Sequence, residues 1–553
     1  MMKRFLLAVG VVFSGLGLFA QTLETALKDM FDGRVQKACK DLEAIVAGKP
    51  NDAEANYWLG QAMLAAAKPN GQAAQAVARE KVKELYTKAM AATSQSPLLM
   101  VGVGHIELLE GKAAEAKAHF DAAIAATAQK KNKKYGEPAV LNAIVRANAD
   151  GSSKIGDLAL TEEKAKQSEE ILGATPDMFV NLGIMYLKTG GENGGPAKRA
   201  FEKALALDAN YAPALYRIGL IFESQGNTEM FLDYYQRAVQ ANSKFAPGYL
   251  ELYEYWSMKD VNKAQEYLDA YVANADKDRE TDYFKGDYLF RAGKYSESLK
   301  IAEEIEAGLN GERFPKLNKL YAFNYDRLKD SVKAMQYMEK YMAETDDDNK
   351  SADDYALMAV QYLKVPGNLV KAELNAEKAV SMDTSLVGKV AIMDKLIAAY
   401  GAQQNWAGQF KWMKRRNELK PDNSARNLFF MTDAAHKAGL YDDAMAMASL
   451  YISNFPDQIQ GYSLKVRSAM AADPDTSKGT AIEALDQYST FMMSDTAKYR
   501  KRIINNHGYK VYYYFVKAQN YAKALEAAND ILKLEPDNEY ALNAKAEAER
   551  FLK

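Results

Sequence analysis

The chain has 553 residues, with 71 Lys and Arg against 73 Asp and Glu, one Cys, four His, 14 Pro and 34 Tyr. A net charge of −2 gives no electrostatic reason to expect nucleic acid, which is normally held by a clustered basic surface, and a single Cys excludes a disulfide framework. A hydrophobic share of 48% argues against disorder. Proline at about half its usual ~5% share favours long helices over a loop-rich or all-β build.

Lys3 and Arg4 precede an apolar, Gly-interrupted run from Phe5 to Phe19, and Ala20 then meets Gln21. Positive end, short apolar stretch and small residue, in that order, predict a secretory signal peptide over residues 1–20. Its removal leaves 69 basic and 73 acidic groups in the mature chain. No later segment approaches the roughly 18 apolar residues that span a bilayer. Gln21 occupies the place where a lipoprotein carries its acylated Cys, so lipid anchoring is disfavoured. Cys39 falls in a helical apolar pattern with Val35, Leu42 and Val46, as a small buried hydrophobe does, with a free thiol that pairs between chains as the lesser alternative.

At about 150 residues per domain the length suggests three or four globular units, but a repeat overrides that count. The period is 34: Phe201 and Ala204 recur as Tyr235 and Ala238. Each unit reads as two amphipathic helices joined by a Gly-centred turn. In the first helix, Leu59-Gly60, Leu182-Gly183-x-x-Tyr186 and Ile218-Gly219-x-x-Phe222 place Gly where a neighbouring helix presses on the backbone. An aromatic one turn later is expected to fill the gap, with Met63 in that slot after Gly60.

In the second helix, Ala113 is followed at offsets of three, seven and ten by Ala116, Phe120 and Ala123. Tyr295 leads Ser298, Ala302 and Ile305; Tyr441 leads Ala444, Ala448 and Tyr451; Tyr521 leads Ala524, Ala528 and Ile531. These offsets share one helical face, and the first of the following positions is small because the two helices cross closely there. Gly111, Gly293 and Gly439 stand two residues before the helix start, where the chain reverses. Pro456 and Pro536 end two units.

This pattern resembles the tetratricopeptide repeat family, whose unit carries Trp-x-x-Leu-Gly-x-x-Tyr in its first helix and Ala-x-x-x-Phe-x-x-Ala-x-x-x-x-Pro in its second. Leu215, Ile218, Gly219, Phe222, Gly226, Phe231, Tyr235 and Ala238 fill the expected slots. The resemblance implies an all-α helix-turn-helix solenoid, a right-handed superhelix of about 13–14 repeats. Residues 21–125 read as N-terminal repeats, 126–157 as an irregular insertion rich in lysine (Lys130, Lys131, Lys133, Lys134), 158–345 as a central array and 346–537 as a C-terminal array. Residues 538–553 read as a polar capping helix. Shorter insertions fall at 65–78, 190–196 and 473–479.

Catalytic signatures are missing. His105, His119, His436 and His507 are scattered, and only His105 and His119, on successive helices, could approach each other. A zinc site needs three or four such ligands, so no metal or other cofactor is expected, and no enzyme. Gly190-Gly191-Glu192-Asn193-Gly194-Gly195 joins two helices and reads as a lengthened turn. Asp346, Asp347, Asp348, Asp353 and Asp354 lack calcium-loop spacing and read as a solvated turn near a helix N-terminus. Lys411, Lys414, Arg415, Arg416 and Lys420 beside Trp412 read as a solvent face, with an acidic partner segment as the lesser alternative.

The resemblance further implies a concave surface lined by first helices. Carried onto this chain, the inward positions are Val180, Ile184 and Leu187, then Tyr216, Leu220 and Glu223, then Leu250, Glu254 and Ser257, then Tyr283, Asp287, Phe290 and Arg291. The Lys and Asn clamp that grips chaperone C-termini is missing. Two assignments stay open for this strip: a partner-binding groove, or burial by superhelical closure. The expected function is a non-enzymatic scaffold of a Gram-negative cell envelope, periplasmic or outer-membrane-associated, binding a protein or peptide along the groove. A glycan- or peptide-binding component of an outer-membrane uptake system is the alternative, suggested by the aromatic stretch from Tyr249 to Tyr295.

Overall fold

A computed structural model describes residues 22–68, 71–128 and 135–553, and every regular element among them is helical. The expected signal at 1–20 and the lysines at 130, 131, 133 and 134 lie outside the described residues. In sequence order the helices make fourteen successive pairs, and the single helix Glu539–Leu552 follows them. The 34-residue period therefore reads correctly as a helix pair.

The pair Ala212–Ser224 and Thr228–Ala241 shows how the sequence builds it. Leu215 of the first helix shares a core with Ala238 of the second, Ile218 packs into the core of the preceding pair with Phe201 and Ala204, and Phe231 and Tyr235 of the second helix are buried as well. A Cβ on Gly219 would lie 2.5 Å from the Tyr235 ring, so only Gly lets that ring rest on the first helix's backbone. Gly60 seats Tyr86, Gly104 seats Phe120 and Gly183 seats Phe201 in the same way. This corrects the expected source of the ring, which comes from the second helix of the pair. The aromatic one turn after the Gly has other work: Phe222 stacks on Tyr234 at 5.6 Å, and Tyr186 donates its hydroxyl to Glu162.

The small slots of the second helices, Ala116, Ser298, Ala444 and Ala524, are buried. Ser298 uses the close crossing to donate to the Gly286 carbonyl at 2.7 Å. Gly111, Gly226, Gly293 and Gly439 all take φ between +69° and +79°, as the reversal requires. Lys329, Gln404 and Gln519 fill the same slot with φ of +67°, +54° and +50°. Gly is thus preferred there without being obligatory.

The described residues divide into two compact units, one ending at Leu328 and the other beginning at Lys329. That boundary falls neither at 126–157 nor after 345, where the sequence pattern suggested breaks. The supposed irregular insertion contains the helix Pro138–Ala149, which pairs in sequence with Leu158–Glu170 and buries Leu141, Ile144 and Val145.

Within the first unit the chain returns on itself. The turn after the helix Leu23–Phe31 meets the start of the helix Ala246–Ser257, where Ala246 donates its N–H to the Asp32 carbonyl at 3.0 Å. The helix Val35–Gly48 reaches the turn before Arg279–Arg291, where Asp276 accepts the N–H groups of Gln36 and Lys37 at 2.7 and 3.0 Å. This is the superhelical closure raised as an alternative for the inner strip.

In the second unit, Tyr400 and Trp412 are fully buried in a core with Ala376, Ala379 and Leu396. The 473–481 loop wraps the Asp473 carboxylate, which accepts the amides of Lys478 and Thr480. The Tyr513 ring lies on Gly479, where a Cβ would come within 2.2 Å of it. The final helix stacks Phe551 on Tyr521 at 4.6 Å but leaves Tyr540, Leu542 and Leu552 exposed. It is less polar than the expected cap.

Candidate functional site

The helices Ala212–Ser224, Ala246–Ser257, Arg279–Arg291 and Pro315–Arg327 bring the inner-strip residues of the first unit together. Tyr216 is half-buried, its ring edge-on to Phe245 at 5.6 Å, and its hydroxyl donates to Glu251 at 2.9 Å. Leu220 packs on Phe231, Tyr235 and Leu252, and Leu250 on Tyr253 and its neighbours. Phe290 stacks on Phe323 at 5.7 Å. Asp287 is buried and accepts bonds from the Tyr253 hydroxyl at 2.7 Å and Arg291 Nε at 2.6 Å. These side chains spend much of their surface on packing. Glu223 and Glu254 remain exposed, although Glu223 also accepts the Tyr235 hydroxyl at 2.7 Å.

Enclosure shapes the charges. Burial, reinforced by Glu254 and Glu223, raises the Glu251 carboxyl to about 7, against the opposing bond from Tyr216. Crowding by the surrounding helix pairs and the fields of Asp287 and Glu223 raise Glu254 as well, although its side chain still reaches solvent. Lys316, whose ammonium lies 4.6 Å from the centre of the Tyr283 ring and pairs with Glu280, is brought down to about 8 by burial, with Asp278 and Glu254 opposing. Burial likewise lowers Arg217, which lies 5.8 Å from the Tyr216 ring centre. The strip is thus a ring-lined surface that carries the carboxyl groups of Glu223, Glu251, Glu254 and Asp287 beside the cations Arg217, Arg291 and Lys316.

Glu251, Arg217 and Lys316 were absent from the residues chosen by sequence. One signal could have found two of them. Side chains a single period apart meet across neighbouring pairs, as Tyr253 meets Asp287, Lys203 meets Glu169 and Arg467 meets Asp433. Glu251 lies 35 residues from Tyr216, and Lys316 lies 36 from Glu280.

The other candidates resolve into structural roles. His105 is buried between Gln61 at 3.2 Å and Asp150 at 3.1 Å, whereas His119 meets Glu107 at 2.7 Å. The two histidines therefore serve different contacts. His436 faces Ser468 at 3.2 Å, and burial lowers the pKa of His507. Asp354 forms a capping box with Ser351, and Asp347 and Asp353 pair with Lys350 and Lys395. Lys411 and Arg415 pair with Glu377, Lys414 with Asp443 and Arg416 with Asp394. These four basic residues are engaged within the chain, and Trp412 beside them is fully buried. Cys39 is half-buried, and burial raises its thiol to about 11. Among the described residues no helix is long and apolar enough to cross a membrane.

Residues 196–247 match a family model described as tetratricopeptide repeat. No curated protein matches the chain. Among solved structures, the C-terminal part of a tetratricopeptide repeat-containing protein from Cytophaga hutchinsonii is 21% identical, covering 47% of this chain and 98% of that one, at a TM-score of 0.29. Yeast Tom70 is 12% identical, covering 80% and 99%, at a TM-score of 0.35. The Cut9–Hcn1 hetero-tetramer of APC/C is similar over 95% of both chains, with 10% identity and a TM-score of 0.33. The matched segment contains the pair in which Gly219 seats Tyr235, and the same Gly-and-ring contact recurs at Gly60, Gly104 and Gly183 in earlier pairs; residues 196–247 are a tetratricopeptide repeat segment within an array of helix pairs.

Proposed function

We propose that the protein is a non-enzymatic scaffold that holds a partner protein or peptide along the inner faces of helices 212–224, 246–257 and 279–291. It acts after export, in a Gram-negative type of envelope, as a periplasmic or outer-membrane-associated protein without a lipid anchor. The observation that supports this reading is the inner strip itself, where the solvent-exposed carboxylates Glu223 and Glu254 stand beside half-buried Tyr216 and Tyr283. Carboxylates in a ring-lined groove favour a segment carrying Lys or Arg, because opposite charge steers the encounter and the rings supply apolar contact.

The test is crosslinking of the full chain in its own envelope, followed by identification of what is bound. Recovery of a protein partner is expected, and the double substitution Glu223→Lys with Glu254→Lys should reduce it by about tenfold or more. An empty crosslinking profile, or unchanged recovery by the double variant, overturns the proposal. Sequencing the N-terminus of the purified protein tests export, with Gln21 as the expected first residue. The glycan reading has less support, because the aromatic stretch is occupied by packing: Tyr253 and Tyr271 are buried, and the Lys263 ammonium sits 3.6 Å from the centre of the Trp256 ring. Saturable heat on titration with a glycan panel would reverse that order.

A further inference from the structure

A helix normally draws the cap for its first amides from the residue just before it. The helix Val35–Gly48 does not, since its N-cap residue is Arg34, which makes no side-chain capping bond. The amides at its second and third positions, Gln36 and Lys37, instead donate to the carboxylate of Asp276, some 240 residues along the chain. Asp276 therefore does the work of a cap from another part of the first unit. The Gln36 side-chain amide adds a bond to Asp278 at 2.9 Å.

One turn earlier, Asp32 accepts the Ala246 N–H at 3.0 Å with its carbonyl and the Asn242 side-chain amide at 2.5 Å with its carboxylate. Between these two points lies Gly33, with φ of +93°, so close to Pro247 that a Cβ would stand 2.9 Å from the proline ring. This joint differs in kind from those between successive pairs. The first helices are tied to the array by apolar cores in which Ala26, Leu42 and Tyr57 are buried, whereas the return contact is mostly hydrogen bonds. It is also incompletely packed. A cavity of about 230 Å³ lined by Gly33, Ala65, Tyr216 and Leu250 lies beside it, and an open cleft of about 760 Å³ lined by Leu23, Phe31, Tyr211 and Pro213 lies along the first helix.

A polar, loosely packed joint between two well-packed bodies is the kind of contact that has two discrete states. We infer that the segment Asp32–Lys37 is a latch: the first helix pair docks on the sixth to eighth pairs through Asp32 and Asp276, and its release as a body uncovers the inner strip. That the uncovered strip receives a partner rests on the function proposed above; the latch itself is measured without any partner.

The experiment uses the full chain with Cys39→Ser and spin labels at the exposed positions Lys40→Cys and Lys244→Cys, alongside amide hydrogen exchange on the unlabelled protein. Asp276→Ala should lower protection at Gln36, Lys37 and Ala246 together by about tenfold or more, leave the interior amides of helix 35–48 protected, and add a longer distance between the labels. Asn242→Ala, which removes a bond to Asp32 and leaves Asp276 in place, should populate the same longer distance. Loss of protection confined to Gln36 and Lys37, with Ala246 and the distance unchanged, would reduce Asp276 to a helix cap and overturn the latch. Loss of protection throughout helix 35–48 would overturn it too, as local unfolding in place of opening. Failure of the partner assay with a normal latch response would count against the groove alone.

Discussion

Lys188, near the C-terminus of the helix Pro176–Thr189, holds the fourth helix pair together from outside it. Its ammonium donates to the backbone carbonyls of Asn148, Asp150 and Ile155, each at 2.8 Å. Asn148 lies in the last turn of the helix Pro138–Ala149, and the other two belong to the loop that leads to the next helix. Lys188→Met keeps the apolar stem and approximate volume but removes every donor. The Ile155 carbonyl would retain the Ser153 hydroxyl at 2.7 Å and the Asp150 carbonyl the Ser153 amide at 3.2 Å. Asn148 would be left with a carbonyl at a helix end and no ammonium to answer it. A stripped buried acceptor costs about 1–3 kcal/mol and a weakened charged bond somewhat less, while an ammonium no longer needs burying, so a net loss of about 2–3 kcal/mol is expected. In a repeat array that loss opens the local pairs before the whole. Hydrogen exchange over residues 150–170 should quicken by about thirtyfold or more, with a lower first transition on heating. Exchange within a factor of two of the wild type, with an unshifted transition, would refute the reasoning.

Gly219→Ala should destabilise the first unit by about 1–2 kcal/mol, because the added methyl meets the buried Tyr235 ring at 2.5 Å and the better helix propensity of Ala only partly offsets that overpacking. Denaturant melts against Gly226→Ala, which meets nothing within 4 Å but has φ of +69°, separate crowding from backbone strain. Glu251 titrates at about 7 in the fold against the ordinary 4.5, so the folded state binds the extra proton. Its contribution is present below about 4.5 and is lost as pH rises through 7. Glu251→Gln keeps an acceptor for Tyr216 and should therefore melt higher than wild type at pH 8 and close to it at pH 4.5; an identical difference at both values would remove the carboxyl as the cause.

The sequence by itself determined the unit of this protein. The slots that define a helix pair are local: Gly219 and Tyr235 lie 16 residues apart, and a Gly, an Ala and a ring at fixed offsets suffice to specify how two helices cross. Turn glycines, N-caps and the approximate count of pairs follow from the same short-range chemistry. The helix at 138–149 was hidden because the unusual loop after it, residues 150–157, broke the period, and that loop is held by Lys188, whose role depends on three carbonyls with no side-chain signature.

Only the tertiary structure decided which inner positions are spent on packing and which stay exposed. Asp287 looked like a groove residue until Tyr253 and Arg291 occupied it, whereas Glu254, the corresponding groove position of the preceding pair, stayed exposed. Superhelical return is the deeper case. Small rotations from pair to pair accumulate over many repeats, and their sum brings Asp276 to the amides of Gln36 and Lys37. No local pattern encodes that meeting, because it depends on the geometry of every pair in between.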